Sequence, residues 1–159
     1  MASLKGKSTR RKPPPVQTQD IIAISKELKK AQKNVTLCVD LMFVNGVGFL
    51  TSICTNIKFQ AAIYIPDREP ATLMEALDKV LSLYNNGGFT IKTIQADPKF
   101  VSILEPLHRE HSIKLDLVPT KAHVPEAEWN NRTLKEQIRA MYHVQPWQWL
   151  PKQLVIAMV

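Results

Sequence analysis

From residue 35 onward, apolar residues come in runs of strand length broken by Gly and Asn, and then in stretches with helical spacing. Residues 35–44 (VTLCVDLMFV), 49–55 and 58–65 read as three strands, joined through "NGVG" and "TNI". Short Gly/Asn connections favour antiparallel hairpins. In residues 67–88 (DREPATLMEALDKVLSLYNNGG), Leu73, Met74, Leu77, Val80, Leu81 and Tyr84 keep the helical period. Pro70 suits the first turn of that helix, and Gly87 or Gly88 its exit. Residues 89–96 make a fourth strand, 98–105 a short helix ended by Pro106, and 113–118 a fifth strand. A longer helix follows over 126–143, and 147–159 starts another. The order β-β-β-α-β-α-β-α predicts an α/β fold. Its mixed five-stranded sheet has three antiparallel strands, then two strands reached by helical crossovers, with helices on both faces.

The length of 159 residues suits one domain with a real core, and 45% apolar against 22% charged residues is ordinary for a globular protein. Location makes the net charge of +7 informative: residues 1–34 hold nine Lys/Arg against two Asp/Glu, and the remainder holds twelve of each. The excess is a tail, read as residues 1–33, and the domain is read as residues 34–159. The stretch "KGKSTRRKPPP" has little to bury, so residues 1–17 are expected to be disordered. Arg10, Arg11 and Lys12 suit nucleic-acid contact or nuclear import, and a solvated linker is the other reading. Within 19–33, Ile21, Ile22, Ile24 and Leu28 allow a short amphipathic helix. The apolar end "QLVIAMV" stops without a cap, so the chain is expected to be truncated at its last helix, as a polyprotein fragment would be.

Cys38 and Cys54 belong to no CxxC pair and the four histidines are scattered, which supports neither a structural zinc site nor a disulfide framework. An intracellular setting is the corresponding expectation. No apolar run approaches a membrane span and no signal peptide is present, so no membrane partner is expected.

Three carboxylates stand out. Asp40 interrupts an apolar strand, on the same face as Cys38 and Met42 and opposite Val39 and Leu41. An unpaired buried carboxylate costs several kcal/mol, so something must compensate it, unless it is a partly exposed residue near a strand edge. Asp97 ends the fourth strand in "KTIQADPKF", where it fits a helix N-cap and also the carboxyl end of a strand, the place where ligand-facing groups collect in mixed sheets. Glu128, Arg132, Lys135 and Arg139 fall at helical spacing on one stripe, apart from an inward stripe of Ala127, Leu134, Ile138 and Met141. A solvated face with an ion pair accounts for the charged stripe; a carboxylate facing a metal and a phosphate, with cations below it, is the other account. Three acids from separate elements also form the set that two-metal phosphoryl transfer uses.

Here the chain resembles the integrase catalytic core of retroelements, a ribonuclease H-like fold with a D, D, E triad. "VTLCVDLMFVNGVGFLTSI" is similar to the first-strand pattern and carries Asp40; "IKTIQADPKF" matches the segment of the second acid, Asp97. "EAEWNNRTLKE" is similar to the copia-type retrotransposon pattern, in which Asn-Arg-Thr-Leu follows the catalytic Glu, here Glu128. The resemblance covers about residues 34–155. It implies that Asp40, Asp97 and Glu128 are catalytic and hold two Mg2+ (or Mn2+) ions. Asn131, Arg132, Lys135 and Arg139 would lie on the face that meets DNA.

The implied activity is DNA 3′-end processing and strand transfer on double-stranded DNA by a homo-oligomer, in the nucleus or a cytoplasmic element particle. Several residues depart from the family pattern. Asp97-Pro98-Lys99-Phe100 replaces Asp-Asn-Glu-Phe, Pro125 stands where a glycine is usual, and Trp129 replaces a basic residue. The interval from Asp97 to Glu128 is a few residues short, and no zinc-binding domain precedes the core. Lys99 and Pro125 suit an alternative: a catalytically inactive integrase-like core that binds DNA or a partner. A second alternative is a ribonuclease H-type nuclease, with Glu75 as the extra acid on the first crossover helix.

Overall fold

The computed structural model describes residues 24–119, 125–146 and 149–159. Arg10, Arg11 and Lys12, and most of the expected tail, lie outside the described residues. Within the remainder of that tail, α1 (Lys26–Ala31) is capped by the Ser25 hydroxyl, which accepts from Leu28 N at 3.2 Å. None of its residues is buried, so its apolar positions are not used for packing.

The sheet is built as the hydrophobic pattern predicts. β1 (Asn34–Val44) and β2 (Val47–Cys54) form an antiparallel hairpin about Asn45–Gly46. Both turn residues have positive φ, 49° and 78°, the geometry that suits Asn-Gly and matches the twist of paired strands. Gly48 is required by close approach, since a Cβ there would stand 3.1 Å from the Phe43 ring and 3.2 Å from the Ile65 side chain. The next connection runs two residues further than expected. Lys58 does not open a strand; it takes φ 57° and closes a turn through Lys58 N to Cys54 O at 2.9 Å, so β3 is Gln60–Ile65.

The helix α2 (Pro70–Asn86) then crosses to β4 (Thr90–Ala96), which pairs parallel with β1. Pro98–Ile103 forms a 3-10 turn that runs into α3 (Leu104–His111). Pro106 therefore does not end a helix: it falls in the first turn of α3, where its missing N–H has no intrahelical partner to lose. β5 (Lys114–Leu117) adds parallel to β4, giving the order β3-β2-β1-β4-β5, and α4 (Pro125–Val144) and α5 (Lys152–Met158) follow. No helix among the described residues is long and apolar enough to cross a membrane.

The two faces of the sheet are covered unequally. On one, Leu37, Val39, Leu50 and Ile94 pack with Leu77 and Val80 of α2 and with Phe100 and Leu107 in a single continuous cluster. On the other, Met42 and Phe49 meet Ile138 of α4 and Val155 of α5, while Cys38 and Ile53 meet Ala127 in a separate small group. Asp40, Thr51 and Asn131 lie between those two groups in the order of all three elements. Every residue of β2 is buried, as a strand flanked on both edges and covered on both faces should be.

Candidate active site

The strand register brings the two aspartates together. Val39 pairs with Ala96 across the parallel β1–β4 ladder, so Asp40 and Asp97 are the next residue on each strand. β4 stops there because Asp97 turns the chain: its carbonyl accepts from Phe100 N at 3.0 Å and its Oδ1 from Lys99 N at 2.7 Å. This is the capping role expected of an Asp before Pro, and it coexists with a place beside Asp40. The other oxygen, Oδ2, lies 3.0 Å from Lys99 Nζ.

Asp40 is compensated from within the protein. Its Oδ1 accepts from Leu41 N at 2.7 Å, and its Oδ2 accepts from the Asn131 side-chain amide at 2.8 Å. Asn131 Oδ1 in turn accepts from the Thr51 hydroxyl at 2.6 Å, and Thr51 is the residue opposite Asp40 on β2. Burial still pushes the Asp40 carboxyl above the ordinary carboxylate range. The Leu41 N–H, the Lys99 ammonium and the Asn131 amide draw it down, while the charge of Asp97 adds to the rise.

Helix α4 presents two different sides here. Asn131 is 7% exposed and turned into the sheet, with both ends of its amide used inside the protein. Glu128, Arg132, Lys135 and Arg139 are exposed along one stripe, as the spacing predicts, with Arg132 Nε 3.5 Å from Glu136 Oε1. At 3.6 residues per turn, Glu128 stands roughly 60° around the helix from Asn131. Among the described residues, no three His, Cys, Asp or Glu side chains come together in a metal-holding group. The structure thus joins Asp40 to Asp97 and to Asn131, and it does not assemble Asp40, Asp97 and Glu128 into one such set.

No family model matches the chain, and no curated protein matches it. Among solved structures, the crystal structure of the catalytic core domain of BIV integrase matches with a TM-score of 0.58 and 16% sequence identity. The match covers 77% of this chain and 78% of that one.

The chain has the fold of an integrase catalytic core.

An integrase-type centre implies a divalent cation, and the residues do not fit one in this arrangement. Asp97 Oδ2 already carries an ammonium, and among the described residues no third acid completes a set. Glu75, the extra acid of the nuclease alternative, is exposed and paired with Lys79 Nζ at 2.8 Å. Its helix α2 packs on the sheet face opposite the one toward which Asp40 points. Within this integrase fold, sequence reasoning missed Thr51 and the inward turn of Asn131. The signal for Asn131 was its spacing, four residues after Ala127 and seven before Ile138, on the same inward stripe. It also missed Asn130, which is 1% exposed and whose amide atoms find no hydrogen-bond partner among the described residues. Trp129, by contrast, is 57% exposed and lines a shallow apolar groove with Ile53, Pro125 and Lys58.

Proposed function

We propose that this chain is a retroelement integrase core of the copia type, with residues 34–159 as the core and 1–33 as a basic tail. It binds double-stranded DNA where β4 ends beside Asp40 and α4 begins, and its chemistry is DNA 3′-end processing and strand transfer. The observation that carries the reading is the Asp40–Asn131 hydrogen bond. It ties the carboxylate at the centre of the sheet to the helix whose exposed stripe holds Glu128 and three cations.

In this reading Asp40, Asp97 and Glu128 are the acids, and the class requires Mg2+ or Mn2+. Asn131 orients Asp40; Arg132, Lys135 and Arg139 hold phosphates by charge. Arg10, Arg11 and Lys12 add affinity that is independent of sequence and weakens as salt rises. Such cores work as homo-oligomers, and the setting would be the nucleus or a cytoplasmic element particle.

A second reading is favoured by one observation, the Lys99–Asp97 ion pair: a core that keeps DNA binding and has no strand-transfer chemistry. Nicking and joining of a branched DNA substrate in Mn2+ separates the two. The experiment compares the parent chain with Asp40→Asn and Glu128→Gln. Activity that both substitutions abolish supports the integrase reading. An inactive parent with salt-sensitive DNA binding retained in all three chains sinks the catalytic claim and leaves a binding core.

A further inference from the structure

Asp40, within β1, and Asp97, the residue after β4, are brought side by side by the parallel register as a pair of like charges, and a cation supplied by the chain stands beside them. Lys99 reaches Asp97 twice, through its backbone N–H to Oδ1 at 2.7 Å and through Nζ to Oδ2 at 3.0 Å. The first contact fixes the turn that starts the 3-10 segment, so the second begins from a backbone already held in place. The same ammonium acts on Asp40 across the gap between the strands, opposing the repulsion from Asp97. Two carboxylates with one tethered ammonium leave a single net negative charge, where a divalent ion would need both.

We propose that Lys99 is the resident cation of the Asp40–Asp97 centre, taking the charge-neutralising role that a divalent ion has in the integrase reading. Mg2+ or Mn2+ then enters only against Lys99, and the turn keeps that competitor at high local concentration whatever the cation content of the medium. The inference rests on the reading of Asp40 and Asp97 as the paired acids, but not on any strand transfer by the chain. Lys99 is a positioning residue here: it sets the charge and accessibility of the two carboxylates. Its side chain is 62% exposed, so replacing it removes the ammonium without opening the core.

The test is a Mn2+ titration followed by the paramagnetic resonance signal of the free ion, on the full chain. It uses the parent, Lys99→Met, Lys99→Gln, and the double variant Lys99→Met with Asp97→Asn. Urea unfolding of each chain checks that it is folded. Removing one of the charges that faces the entering ion is expected to tighten Mn2+ binding at least about tenfold in both single variants. The double variant is expected to lose that gain. Equal Mn2+ affinity in the parent and both single variants overturns the proposal, as does a gain that survives loss of the Asp97 charge. Fluorescence anisotropy with labelled duplex DNA on the same chains tells the two failures apart. DNA binding without a Lys99-dependent change in Mn2+ affinity sinks this inference alone. A Lys99-dependent gain in a chain that binds no DNA leaves it standing and sinks the integrase reading.

Discussion

Two neighbouring asparagines in α4 make opposite contributions. Asn131 satisfies Asp40 and Thr51 at once, so Asn131→Ala strips a part-buried carboxylate oxygen of its amide donor and leaves the Thr51 hydroxyl only the Asp40 carbonyl, at 3.2 Å. Stranding a polar group away from water costs about 1–3 kcal/mol, so urea unfolding should show a loss within that range. Asn130 is buried with neither amide atom partnered among the described residues, so its desolvation is not offset. Asn130→Leu should therefore raise stability by about 1 kcal/mol in the same measurement. The family resemblance puts Asn131 on the face that meets DNA, and an Asn adds nothing to a hydrophobic pattern that would turn it or Asn130 inward. Which of them would find a partner depended on Thr51 and Asp40, which lie 80 and 91 residues away from Asn131 in sequence.

Cys38, one of the residues sharing the face of Asp40, supplies a pH signature. Burial pushes its thiol up to about 11, with the charge of Glu126 adding to the rise. A raised folded value means that the thiol's contribution is fully present below the unfolded value of about 8.5 and is lost as pH rises through about 11. Measured against Cys38→Ala at stepped pH, the parent should lose roughly 3 kcal/mol more across that window. Equal pH profiles would show that the thiolate is not disfavoured in the folded state.

At the scale of elements, α4 divides its work by side. Its inward stripe holds the helix to β1 and β2, and its outward stripe carries Arg132, Lys135 and Arg139 on no part of the core. Arg132→Ala and Lys135→Ala should weaken duplex DNA binding with little change in stability. Each should also lower the slope of log affinity against log salt by about 1 if it neutralises one phosphate. Glu75→Gln on α2 should leave both quantities unchanged, since that helix covers the other face. The elements themselves were legible where their signals are local: the Asn45–Gly46 turn, the apolar spacing of α2, and the alternation that turned Asp40 toward the side of Cys38. The misplaced boundaries had local competitors. The apolar residues after Lys58 pull it into the strand pattern, and Pro106 resembles a helix stop although a proline is also at home in a first turn.

Across the whole molecule, the order of elements was readable before any coordinate, because two hairpin-length connections and two helical crossovers allow few sheets. The pairing of Asp40 with Asp97 could not be read in the same way. It depends on a parallel register between strands more than fifty residues apart, including a shift between Val35 and Thr36. The sequence puts Lys99 where the family pattern has a Glu, but its grip on Asp97 appears only once the turn after β4 is folded.

The belt of Asp40, Thr51 and Asn131 has a consequence for how the protein breathes. It splits the apolar packing beneath α4 into two small patches, while α2 rests on one unbroken layer. Opening the α4 side therefore exposes less apolar surface to water than opening the α2 side. In native-state hydrogen exchange, the amides of α4 should give up their protons ahead of those of α2 and β1. The side that meets DNA in the integrase reading is then also the more loosely latched one, able to shift against the sheet while the opposite layer stays shut.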